Sequence, residues 1–154
     1  MIEILKNIFI RIIYILIIIY LMIFIPCIWG YKPLVVVSGS MEPVLKVGGL
    51  LYYTEQDINK FNKDEILVFK SGNHIISHRI VDKTDDGFIT KGDNNKSIDT
   101  VIVDKGQVLG RGTNFSIPYL GYYADFIYTH KYLLIIFVIL IVIDLLIDNK
   151  RRNE

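Results

Sequence analysis

One uncharged run, residues 12–31, most constrains what this chain can fold into; it is built mostly of Ile, Leu, Tyr and Phe. As a helix rising ~1.5 Å per residue it reaches about 30 Å, the thickness of a bilayer's hydrocarbon. Lys6 and Arg11 precede it. A cleaved leader has a shorter apolar part, about 7–15 residues, with a small-x-small site behind it. Neither feature is present, so the run reads as an uncleaved anchor covering 8–31. The lone cysteine, Cys27, lies inside it, which excludes an intramolecular disulfide. Attachment of a lipid at Cys27 would call for small residues where Ile25 and Pro26 stand.

A second apolar stretch, 132–147, is interrupted by Asp144 near its far end, where a charge costs less than at the bilayer centre. Tyr128 and Tyr132 suit an interface, and Lys131 can snorkel. This predicts a second transmembrane helix over 128–148; the alternative is a buried helix packed on a domain. Lys150, Arg151 and Arg152 follow, in a basic tail 149–154. Basic residues thus flank the outer ends of both stretches, which predicts a multi-pass protein with both termini in the cytoplasm. Residues 32–127 then lie on the extracytoplasmic side of the cell membrane, in contact with the lipid bilayer.

Composition agrees with that division. Hydrophobic residues make up 52% of the chain and mean hydropathy is +0.41, with the excess at the two ends. Net charge is +1 and the basic residues form no cluster, which argues against a nucleic-acid partner. No Cys/His spacing suggests a metal site.

Residues 32–127 read as mainly β. Short β-branched or aromatic runs occur at 34–37, 50–53, 65–70, 75–81, 87–91 and 107–110, each bounded by Gly, Asn, Asp or Lys. Asp85-Asp86-Gly87 suits a hairpin turn between 80–81 and 88–89. No helical period of comparable length lies between the apolar ends. The expected fold is a small barrel or folded sheet with an N-terminal and a C-terminal transmembrane helix.

Chemistry enters with Ser38-Gly39-Ser40-Met41-Glu42-Pro43, two hydroxyls among turn-forming residues just past the first anchor. It is followed by Ser77-His78-Arg79-Ile80-Val81, then Lys91-Gly92-Asp93-Asn94-Asn95, then Asp99. Each piece alone suits an ordinary turn or strand. Together they supply the residue types that amide hydrolysis needs: a nucleophile, a base for its proton, and an acid to orient the base. In this order they resemble the type I signal peptidases, in the Ser/His branch of archaea, the endoplasmic reticulum and some Gram-positive bacteria. Val108-Leu109-Gly110-Arg111 and Ile117-Pro118-Tyr119-Leu120-Gly121 are similar to that family's closing region.

The resemblance implies roles residue by residue. Ser40, directly before Met41, matches the nucleophile. Ser38 would lend its hydroxyl to an oxyanion hole beside the backbone N–H of Ser40. His78 matches the general base, where the other bacterial branch has Lys. An imidazole titrates near ~6.5 and needs no desolvation to act at neutral pH. His74 shares the strand face of His78 but lacks the Arg-Ile-Val context, and His130 lies beside the second apolar stretch. Asp99 would orient His78; Asp93 is the alternative, otherwise shaping the site. Two departures stand out: Gly48-Gly49 where members often have Gly-Asp, and Asn62-Lys63-Asp64-Glu65 in place of a common Gly-Asp-Ile.

The implied activity is removal of signal peptides from exported preproteins after small residues, at Ala-x-Ala-like sites. It calls for no metal and no organic cofactor. The partners are preprotein signal peptides in the membrane; accessory membrane subunits stay open. Two other classes stand beside this one. A non-catalytic scaffold would have no need of Ser40, His78 and Asp99 together. A self-cleaving switch of the SOS-repressor kind would use a Lys base and no membrane span.

Overall fold

The computed structural model describes residues 2–153. The chain divides into two units: Ile25–Tyr123, and the terminal segments Met1–Phe24 with Ala124–Glu154.

In the terminal unit, helix α1 covers Ile2–Phe24. It begins well before the uncharged run, because Lys6 and Arg11 are good helix formers whatever their polarity. It ends before that run does. Pro26 has no amide hydrogen for a helical bond, and its ring disfavours helical geometry in the residue before it. Residues Ile25–Trp29 tighten into a 3-10 turn, closed by the Gly30 N–H donating to the carbonyl of Cys27 at 3.0 Å. Ile4–Trp29 is long and apolar enough to cross a membrane. The C-terminal stretch is not one helix: α2 (Leu120–Thr129) and α3 (Lys131–Asn153) meet at His130. Only the two taken together as one bent span pass the same test of length and composition. Asp144 on α3 is paired with Lys6 of α1, Nζ to Oδ1 2.7 Å. The acid in the second apolar stretch therefore has a cation facing it from the start of α1.

The other unit is mainly antiparallel sheet, as the sequence predicts. Its strands are β1 (Tyr31–Val35), β2 (Leu50–Thr54), β3 (Ile66–Ser71), β4 (His74–Lys83), β5 (Gly87–Lys91), β6 (Val103–Asp104) and β7 (Val108–Gly112). Their spatial order is β1-β2-β7-β3-β4-β5-β6, and every pairing is antiparallel. The last strand in the chain thus enters the middle of the sheet. The β4–β5 hairpin turns at 84–86, where the Thr84 N–H donates to the carbonyl of Gly87 and the Gly87 N–H to Thr84 Oγ1.

Two apolar clusters fill this unit. One gathers Val36, Met41, Leu45, Leu51, Ile66 and Val68. The other gathers Phe61, Leu67, Phe69, Ile80, Phe88 and Val103. Glycine is required at the 48–49 turn. Gly48 has φ +75°, and a Cβ at Gly49 would lie 2.6 Å from Ser116 Oγ. This is the physical reason for Gly49 at a position where the resembling family often carries Asp.

Candidate active site

The segment that carries Ser40 is fixed from its far side. Val36 is buried in the first cluster, while Val37 beyond it is 81% exposed. Gly39–Met41 forms one 3-10 turn, closed by the Glu42 N–H donating to the carbonyl of Gly39 at 3.1 Å. Met41 is buried in the same cluster, and the Leu45 N–H bonds its carbonyl at 2.9 Å. With its neighbour anchored, Ser40 is held at the surface with its hydroxyl turned towards β4.

His78 reaches the site because of strand alternation. On β4, His78 and Ile80 share one face, and both are buried. Ile80 enters the second cluster, and the ring of Phe69 stands edge-on to the His78 imidazole at 6.3 Å between centroids. The imidazole is thereby fixed between two partners. His78 Nε2 is 3.2 Å from Ser40 Oγ, and His78 Nδ1 is 2.6 Å from Asp99 Oδ2. An ionised carboxylate only accepts, so beside one the Nδ1 atom carries the proton. In the neutral ring that leaves Nε2 as the acceptor for the Ser40 hydroxyl. Ser40 has one hydrogen, so in its 3.3 Å contact with Ser38 Oγ it is Ser38 that donates.

The two aspartates occupy different places. Asp93 does not bond His78; it takes a fork from Arg79, Nε to Oδ1 at 2.8 Å and Nη2 to Oδ2 at 2.6 Å. Arg79 is adjacent to His78 on β4, so it points to the opposite face and carries Asp93 there. Its third donor, Nη1, bonds the carbonyl of Asp64 at 2.6 Å. The Asp93 carboxylate raises the Arg79 guanidinium further above its already high pKa. Asp93 therefore ties the 92–95 turn to β4 and is not in a position to orient the imidazole. His74 stands exposed at the start of β4, opposite Ser71, and His130 bonds and stacks on Phe126.

Two further residues, Asn94 and Thr90, shape the site. The Asn94 N–H donates to the carbonyl of Ser40 at 2.8 Å, and its side-chain Nδ2 to the carbonyl of Gly39 at 3.1 Å. The 92–95 turn thus clamps the backbone at Gly39 and Ser40, and Gly92 permits the approach: a Cβ there would lie 2.6 Å from the Ser40 carbonyl oxygen. Thr90 is fully buried and donates from Oγ1 to Asp99 Oδ2 at 2.6 Å. Its signal was available: Thr90 shares strand parity with Phe88, so a hydroxyl stands at a core-facing position.

The chain aligns with signal peptidases. It is 34% identical over 117 residues to the signal peptidase complex catalytic subunit SEC11 of Fusarium vanettenii, covering 66% of this chain and 67% of that protein. It belongs to the type I signal peptidase family. Signal peptidase I W of Bacillus subtilis is 37% identical over 99 residues, 60% of this chain and 52% of that protein. The human signal peptidase complex catalytic subunit SEC11C is 41% identical over 105 residues, 58% of this chain and 54% of that protein. The chain thus spans about half the length of these last two relatives. No family model matches it.

Proposed function

We propose that this chain is a membrane-anchored serine endopeptidase that removes N-terminal signal peptides from exported preproteins. The observation that carries the reading is the continuous hydrogen-bonded chain from Ser40 Oγ through the His78 ring to Asp99 Oδ2. A structural role does not call for a surface hydroxyl, a buried imidazole and an acid in series; nucleophilic catalysis does.

The steps follow from the atoms. Ser40 Oγ attacks the scissile carbonyl carbon while His78 Nε2 takes its proton. Asp99 holds the Nδ1–H and stabilises the imidazolium that forms. The developing oxyanion is received by the Ser38 hydroxyl and the Ser40 N–H. His78 then gives its proton to the departing amine, which leaves as the new N-terminus of the mature protein. A water molecule, deprotonated by the same imidazole, attacks the Ser40 ester; the ester bond breaks, His78 returns the proton to Ser40 Oγ, and the signal peptide leaves as a carboxylic acid that ionises in water.

Substrate class follows from the setting. Residues 36–38 lead into Ser40 with Val37 exposed, which suits pairing with an extended cleavage segment. The family likeness points to small side chains at the −1 and −3 positions, hence Ala-x-Ala-like sites. A signal peptide arrives as an apolar helix in the bilayer, and α1 confines the enzyme to the same surface, which raises effective concentration. Lys6 and Arg11 before the first apolar stretch, with Lys150, Arg151 and Arg152 after the second, orient a two-span protein in the plasma membrane. The sheet unit is then extracytoplasmic.

The test is co-expression of wild type, Ser40→Ala and His78→Ala with a preprotein bearing an Ala-x-Ala site, in a host whose own enzyme is blocked. Product mass is followed. Cleavage by wild type alone is the expected result. Cleavage that survives Ser40→Ala, or none by wild type, overturns the reading.

A further inference from the structure

The Ser40–His78–Asp99 chain has a fourth member that lies behind it. Asp99 sits in a stretch without regular secondary structure, between β5 and β6. Nothing local sets its side chain, so whatever orients it comes from elsewhere. Thr90 meets it twice: the Asp99 N–H donates to the Thr90 carbonyl at 2.8 Å, and Thr90 Oγ1 donates to Asp99 Oδ2 at 2.6 Å. One carboxylate oxygen thus receives both the His78 Nδ1–H and the Thr90 hydroxyl.

Thr90 is well placed to act as a fixed point. It is fully buried in the interior of β5 and pairs in register with Ile80, two residues from His78 on the same face of β4. A β-branched side chain has few rotamers, and the neighbouring strand restricts it further. The imidazole and the threonine hydroxyl are therefore set by one piece of sheet, and the aspartate is bonded to both.

Resting on the peptidase reading above, we propose that Thr90 is a positioning residue of the catalytic site. Its hydroxyl locks the Asp99 carboxylate in the rotamer that holds the Nδ1–H of His78, and so holds Nε2 on Ser40. Thr90 does not touch substrate. Without its hydroxyl the carboxylate keeps its charge but is free to turn about its own χ2, and the imidazole loses its fixed tautomer and direction. A second effect adds to the first. A donor on Oδ2 keeps negative charge on the oxygen that faces the imidazolium, in a partly enclosed site.

The experiment uses the full chain in detergent micelles, comparing wild type, Thr90→Val and Thr90→Ser. Val keeps the shape and loses the hydroxyl; Ser keeps the hydroxyl. Three quantities are read: kcat and KM on an Ala-x-Ala preprotein, melting temperature, and the downfield proton resonance of the His78 Nδ1–H. The expected result is a fall in kcat on the order of tenfold to a hundredfold for Thr90→Val, the range for a hydrogen bond to a charged group. KM is unchanged, Thr90→Ser recovers most of the loss, and the His78 resonance moves or broadens in Val but not in Ser. Wild-type kcat in Thr90→Val with an unmoved resonance overturns the proposal. So does an equal loss in Val and Ser that follows melting temperature, since that is packing alone. If wild type cleaves nothing, the peptidase reading fails by itself. The resonance still decides the role of Thr90: an unmoved signal in Thr90→Val refutes it, and a shift confined to Val supports it.

Discussion

Phe61 and Phe9 are the same side chain in opposite circumstances. Phe61 is fully buried in the sheet unit, whereas Phe9 on α1 is 55% exposed, as are Ile4, Leu5 and Leu21 around it to a similar degree. The sheet unit gathers apolar residues from its strands inward into two clusters, which is folding on water's terms. The terminal helices satisfy their backbone internally and turn apolar side chains outward, which suits hydrocarbon. Under the proposed function the sheet unit carries the chemistry and the terminal helices the anchorage, a division that substitution can break.

The largest effect is expected where the chemistry lies. Ser40→Ala or His78→Ala is predicted to lower preprotein cleavage on the order of 10⁴-fold or more. Each variant should still sediment with membranes, because α1 is untouched. Mass spectrometry of product and fractionation of the same cells check both halves.

Next comes packing. Phe61→Ala removes a ring from the second cluster, where it meets Phe88 edge-on at 5.6 Å. It should cost about 3–5 kcal/mol of sheet-unit stability. Phe9→Ala should leave it within about 0.5 kcal/mol. Denaturant titration of both proteins in detergent decides, and equal losses would erase the distinction between the units.

A smaller effect is expected at the two aspartates. Asp93→Asn removes the charge that Arg79 forks onto and should cost about 1–3 kcal/mol of stability. Its cleavage rate should fall far less than that of Asp99→Asn, because of the two aspartates it is Asp99 that bonds the imidazole. Parallel melting and cleavage assays separate the two.

The smallest effect is a pH dependence. Burial pushes the Glu65 carboxyl up, but the Asn62 N–H at 3.1 Å and the Arg111 guanidinium at 3.1 Å outweigh it, and its pKa is lowered. A lowered folded pKa stabilises fully above the ordinary glutamate value of 4.5 and is lost as pH falls through the folded value. Glu65→Gln should therefore lower the melting temperature slightly at neutral pH and flatten its acid limb below about pH 4.5, so that variant and wild type converge in acid.

What was legible in the sequence was local in the chain. The strand runs, the 84–86 hairpin and the motifs around Ser40, His78 and Asp99 each sit within a few residues. The insertion of β7 between β2 and β3 was not legible, because no local pattern records which strand a late segment pairs with. Helix α2 was hidden for another reason: it is only ten residues long and follows directly on Pro118-Tyr119, with a glycine at its second position. Helix α1 starts before the uncharged run and stops before its end, since absence of charge measures a span while Pro26 sets where the helix stops. Asp93 and Asp99 were equal candidates on spacing alone. The Arg79 fork separates them, and that is a contact between side chains 14 residues apart. The bonds from Thr90 and Asn94 belong to the same class.

The central claim is that Ser40 and His78 act as one unit. It is tested most directly by a double-mutant cycle: initial rates of preprotein cleavage by purified wild type, Ser40→Ala, His78→Ala and the double variant. If the two form a nucleophile–base pair, the double variant loses no more than either single one, because removing one partner already idles the other. Losses that multiply, or a Ser40→Ala rate close to wild type, would contradict the account.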